Sequence, residues 1–167
     1  AGVTSVNVAF NNAGSVTSAF ATGTISFNTG GTHTGSFSAV SGATVDFSGG
    51  THTLQAASSV SGAGTILFSA GTTNVGGTYN VTGLTSVTNG IANFESPTST
   101  TGTLTQSAGT VGGAGTLDVT GLFTWSGGTI DDTVTIEIVE PDLAVTKVAN
   151  PTSGDGGDTI TFTLSLD

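Results

Sequence analysis

The 167 residues include no cysteine, no methionine and no arginine, and their only cation besides the two histidines is Lys147. Without cysteine, neither disulfides nor thiolate metal sites can form. With a formal charge of −10 and a single lysine, the chain cannot assemble the Lys/Arg clusters that neutralise phosphates, which excludes nucleic acid as a partner. No apolar run approaches the roughly 20 residues that cross a bilayer as a helix, so no membrane insertion is expected. No basic, hydrophobic leader stands at Ala1, and an exported protein would carry this chain as a mature or excised portion.

What is abundant is glycine, 27 residues of it, set among Thr, Ser and Val. These residues disfavour helix for entropic reasons or because their hydroxyls compete for backbone hydrogen bonds. Short alternating runs with β-branched residues, ended by Gly-Gly or Ser-Gly, read instead as half-buried strands.

The runs also recur. Gly23-Thr-Ile-Ser-Phe27 returns as Ala43-Thr-Val-Asp-Phe47 and Gly64-Thr-Ile-Leu-Phe68, then more loosely as Gly90-Ile-Ala-Asn-Phe94 and Gly115-Thr-Leu-Asp-Val119. Val6-Asn-Val-Ala-Phe10 and Val16-Thr-Ser-Ala-Phe20 read as degenerate terminal copies. A unit of about twenty residues cannot bury its own apolar face, whereas stacked copies can. The fold class expected is therefore all-β, a right-handed parallel β-helix (β-solenoid) of about six coils with a C-terminal strand pair. Phe27, Phe47, Phe68 and Phe94 are expected to form an internal ladder, with an inserted loop around residues 75–89. For the polar run 96–105, disorder stands as a minority reading.

The phrase Gly-Gly-Thr-His-Thr occurs at residues 30–34 and again at 49–53. Equivalent positions in consecutive coils imply stacked side chains, giving an exposed ladder of Thr32, His33, Thr34, Thr51, His52 and Thr53. Two imidazoles without repeated carboxylates or thiolates do not complete a metal shell, and no cofactor is expected. Cleaving a glycosidic bond normally takes two carboxylates at a defined separation. Up to Ile130 the only acids are Asp46, Glu95 and Asp118, in different repeats, so no enzyme is expected.

From Asp131 onward come eight acids and Lys147, a shift that suggests a module boundary. The expected division is a solenoid over 1–130, an acidic connecting strand over 131–140 and a two-stranded segment over 141–167. Residues 141–151 and 154–166 (Pro-Asp-Leu-Ala-Val-Thr-Lys-Val, then Gly-Asp-Thr-Ile-Thr-Phe-Thr-Leu) resemble the opening strands of immunoglobulin-like repeat domains on bacterial and archaeal surface proteins. A complete sandwich of that kind needs about seven strands. Either the chain is cut within a larger protein, or, as is slightly favoured, Leu143, Val145, Val148, Ile160, Phe162 and Leu164 serve as assembly strands that complete a sheet on a neighbouring subunit.

The repeat region, with phrases such as residues 113–130 (Gly-Ala-Gly-Thr-Leu-Asp-Val-Thr-Gly-Leu-Phe-Thr-Trp), resembles the passenger and adhesin regions of bacterial surface proteins. That likeness implies display outside the cell. The function expected is an extracellular structural protein, a subunit or segment of a surface fibre that self-associates into a homopolymer through β-strand pairing. The alternatives are an adhesin or ice-binding module contacting a glycan or surface through its Thr-rich face and, third, a β-helix enzyme acting on polysaccharide.

Overall fold

The computed structural model describes residues 2–131 and 133–139, together with the backbone of Thr163–Leu164. Among them there is no helix, and the strands pair in parallel along three faces of a β-solenoid. The first face stacks Val3–Val6, Thr24–Phe27, Thr44–Phe47, Thr65–Phe68, residues 84–87, residues 103–106 and Phe123–Trp125. The second begins with a bridge from Asn12 to His33 and continues through Gly30–His33, Thr51–Leu54, Thr72–Val75, Ile91–Phe94, Thr110–Gly112 and Thr129–Ile130. The third stacks Ser15–Ser18, Ser36–Ala39, Ser59–Gly62, residues 78–81, residues 99–101, Thr116–Val119 and Thr135–Ile138. Seven rungs on the first and third faces, one more than the expected six coils, make a rod roughly 30 Å long at the usual strand spacing.

Alternation decides which side chains enter the rod. On the first face Ile25 and Phe27, Val45 and Phe47, and Ile66 and Phe68 point inward, while Thr24, Thr44 and Thr65 lie on the outer side. Phe37, Phe47 and Phe94 are fully buried, each worth roughly 2–3 kcal/mol of apolar transfer. Phe27, Phe47 and Phe68 stack in register, with ring centroids 6.0 and 5.7 Å apart, and Phe10 extends the stack at 5.2 Å from Phe27.

Phe94 is not the next rung of that ladder. It lies on the second face, in file with Val75, Leu54 and His33, and meets Phe68 edge-on at 6.4 Å. Val87 and Gln106 continue the first-face file instead. The motif likewise changes face at Gly115-Thr-Leu-Asp-Val119, whose strand belongs to the third. Similar short motifs thus mark different sides of the rod, because every face needs the same alternation. The expected insertion is absent for the same reason: Thr78–Val87 is one long strand that serves the third face and then the first. The polar run is also ordered as the strand Ser99–Gln106, whose Ser99 and Thr101 side chains are buried.

The corner from third face to first changes along the rod. It spans residues 19–23 and 40–43 in the early coils, narrows to 82–83 and to Gly102 alone, and widens again to 120–122. Gly102 is required there, since a Cβ would run into the Thr82 carbonyl oxygen of the coil before. The corner from first to second face carries a second ladder, Gly50, Gly71, Gly109 and Gly128, all with φ between 68° and 89°.

The acidic strand expected to connect two modules is a rung of the solenoid. Thr135–Ile138 pairs residue for residue with Thr116–Val119, burying Ile138. Beyond it, the backbone of Thr163–Leu164 runs parallel to Glu137 and Ile138. Leu143, Val145, Val148, Ile160 and Phe162 lie outside the described residues, as does the side chain of Leu164.

Candidate functional site

His33 and His52 are inside the rod, not on its surface: they are 0% and 1% exposed. The two Thr-His-Thr phrases are not in register. His33 stands opposite Leu54, and His52 opposite Gly31. The turn after Phe27 consists of residues 28–29 and the turn after Phe47 of residues 48–50. That one-residue difference adds to another, since the phrase lies one residue closer to Phe47 than to Phe27. Together they displace one histidine by two positions along the strand, which preserves the inward direction because the strand period is two. Thr32, Thr34 and Thr51 are exposed, whereas Thr53 is half-buried.

The rings stack 5.3 Å apart at 19°, with His33 Nε2 3.0 Å from His52 Nδ1. The backbone N–H of Asn12 donates to His33 Nδ1 at 3.3 Å. Asn12 is itself tied down: its Nδ2 donates to the Ser36 carbonyl and its Oδ1 accepts from the Gly14 N–H, both at 2.9 Å. Phe10, Phe27, Phe37 and Phe47 surround the pair, the nearest with centroids 4.9 Å from His33 and 5.0 Å from His52. Burial, and secondarily the charge of its neighbour, pushes His33 down to about 4. Burial also lowers His52. The Phe27 and Gly49 carbonyls counter part of that, although His52 Nε2 makes no well-formed hydrogen bond.

A second polar group lies deeper in the chain. Tyr79 Oη and Thr85 Oγ1 are 2.7 Å apart, and Thr85 and Thr101 hydroxyls are also 2.7 Å apart. Tyr79 is 1% exposed, so its ring is a core element and not a platform for a sugar. Burial raises the phenol, with Thr85 opposing. Trp125 packs partly buried against the core opposite Gln106, in the last first-face rung.

The acids occupy the outer side. Asp46 is only 9% exposed because the Ser26 and Ser69 hydroxyls donate to its two carboxylate oxygens, at 3.2 and 2.7 Å. Asp118 and Asp46 hold the same position in the motif but lie on different faces. The register partner of Asp118 is Glu137. No group of three metal-binding side chains occurs among the described residues.

The remaining unusual surface is at the ends. Val3 and Val8 are each 68% exposed and Phe20 83%, all three in the first coil, while Leu122 and Val139, both 53%, belong to the last. Between them the strongly exposed large apolar side chains are Val40 and Ile91. Among the described residues no strand covers the outer edge of Val3–Val6 or Ser15–Ser18.

Comparison with family models, curated proteins and solved structures finds no match for this chain. Of the residues singled out in the sequence, the fold brings the Phe27–Phe47–Phe68 stack against the histidine pair. Asn12, Tyr79, Thr85 and Thr101 carry no motif. A register assigned to Thr85 from its alternation, opposite Ile66, is the signal that marks a hydroxyl at an inward position.

Proposed function

We propose that the chain is an extracellular structural protein, a segment of a surface fibre extended by β-strand addition at the ends of the rod, and not a catalyst. The observation that carries this reading is the uncovered first coil. Its Val3–Val6 and Ser15–Ser18 edges are paired on one side only among the described residues, and Val3, Val8 and Phe20 project from it. Exposed edges of this sort template further pairing. A parallel solenoid has the same strand direction in every coil, so its last coil matches its first head-to-tail, an arrangement that propagates without closing. The parallel pairing of Thr163–Leu164 with Glu137 and Ile138 on the final third-face rung supports this reading.

Sedimentation and negative-stain electron microscopy over a concentration series test the reading. Wild-type protein should form end-to-end oligomers, and Val8→Lys with Phe20→Lys should leave monomers of unchanged circular dichroism. Discrete wild-type monomers at high concentration would overturn it.

A surface-binding module is a second reading, favoured by the outer file Thr51, Thr72, Ile91, Thr110 and Thr129, one strand spacing apart on the second face. Thermal hysteresis or glycan-array binding, lost on charging Thr72 and Thr110, would support it over the fibre.

A further inference from the structure

Asn12, His33 and His52 lie in three successive coils and form one hydrogen-bonded series through the interior. The donor at its head is unambiguous, because a backbone N–H can only donate. His33 Nδ1 must therefore be the acceptor, which puts the His33 proton on Nε2. That proton faces His52 Nδ1, so the His52 proton is on Nε2 as well. Backbone geometry thus fixes both tautomers of a neutral pair.

We propose that this series is an acid-sensitive clasp, holding the first coil onto the rod while both rings are neutral and releasing it when a proton enters. The reason is a shortage of acceptors. A proton arriving from solvent must add to Nδ1 of one ring or the other. On His33 it meets the Asn12 N–H. On His52 it meets the His33 Nε2–H, and shifting the His33 proton to Nδ1 only moves the collision back to Asn12. Every singly protonated arrangement leaves two donors face to face and a charge among phenylalanine rings, where uncompensated charge is strongly disfavoured.

Little nearby offsets that charge: the Phe27 and Gly49 carbonyls favour a charged His52 only in part. The rings packed around the pair are those of Phe10, Phe27, Phe37 and Phe47, and the titratable group acting on His33 is His52. The cheapest relief is to separate Asn12 from His33, because among the described residues the first coil is paired on one side only, whereas His52 lies beneath the next coil. The sign follows from the depressed folded value. An unfolded histidine takes up its proton near 6.5 and folded His33 near 4, so stability of this region falls as pH drops through that window and levels off below it.

The fibre reading is not needed for this inference, and monomer suffices for its test. Amide hydrogen exchange, expressed as protection factors, should show the Asn12, Val16 and Thr34 amides losing at least about tenfold protection between pH 7 and pH 4.5. The Leu104 and Leu117 amides should change far less. His33→Leu combined with His52→Leu should remove the pH dependence of the first coil, while the exterior carboxylates, common to both proteins, titrate as before. An equal loss of protection in wild type and double variant would overturn the clasp. Should the variant fail to fold, imidazole nitrogen shifts of the wild type at pH 7 decide: both rings as Nε2–H tautomers are expected, and an Nδ1–H on either ring refutes the mechanism.

Discussion

The two halves of the rod solve the same packing problem with different perimeters. In the N-terminal half Val3 stands opposite Thr24, Thr24 opposite Thr44 and Thr44 opposite Thr65, coils of 20 to 21 residues on the first face. In the C-terminal half Thr65 stands opposite Leu84, Leu84 opposite Thr103 and Leu104 opposite Phe123, coils of 19. The wider coils enclose Phe27, Phe37, Phe47, Phe68 and both histidines. The narrower ones enclose Tyr79, Phe94 and Phe123 along with Val87, Leu104, Val111, Leu117 and Val119, and Thr85, Thr101 and Gln106 among them. The corner that loses residues is the one from third face to first, where two strands fuse into Thr78–Val87 and again into Ser99–Gln106. Interiors pack near crystal density, and along the first face the corner shortens where the file Phe27, Phe47 and Phe68 gives way to Val87 and Gln106. The lesson is that corner length and the side chains of this one file changed together, while Tyr79 and Phe94 keep aromatic rings elsewhere in the narrow half.

If that coupling holds, the largest effect comes from emptying the wide half. Phe47→Ala should cost about 4 kcal/mol in chemical denaturation, because Phe27, Phe37, Phe68 and His52 all lean on that ring. Val87→Ala, in the file that continues it, should cost about half as much. Equal losses would mean that the two interiors are not differently filled. The corners give the next contrast. Gly102→Ala pushes a methyl into the Thr82 carbonyl, whereas a methyl at Gly23 meets Phe20 atoms at 3.3 Å. The first should lower stability by about 3 kcal/mol and the second by less than about 1, measured as shifts in denaturation midpoint. The smallest effect sharpens the polar side of the comparison. Thr85→Val removes the hydroxyl linking Tyr79 and Thr101 and should cost about 1 to 2 kcal/mol, with no change in the pH response assigned to the histidines.

Much of this was legible in the residues. Alternation of β-branched with small polar side chains gave strands, and a recurrence near twenty residues, too short to bury its own face, gave stacking. The in-register Phe27, Phe47 and Phe68 and the outward Thr32 and Thr51 followed from the same period of two. Face membership was not legible, since the three faces use one alphabet. Phe94 therefore looked like a fourth rung, and residues 75–89 like an insertion. The histidines were misplaced for a related reason. Two copies of Thr-His-Thr suggest equivalent sites, yet their places depend on turn lengths of residues 28–29 and 48–50, which local sequence does not announce.

The sequence by itself determined an all-β chain of stacked units with a sparsely charged, hydroxyl-rich exterior, because side-chain alternation and the absence of cations are local properties of the residue order. Only the tertiary structure decided which face each unit serves, that residues 135–138 form a rung of the final coil, and that His33 and His52 meet inside the rod next to Asn12, near its other end. Those outcomes depend on the registers of parallel strands about twenty residues apart, and a one- or two-residue difference in a corner sets each register.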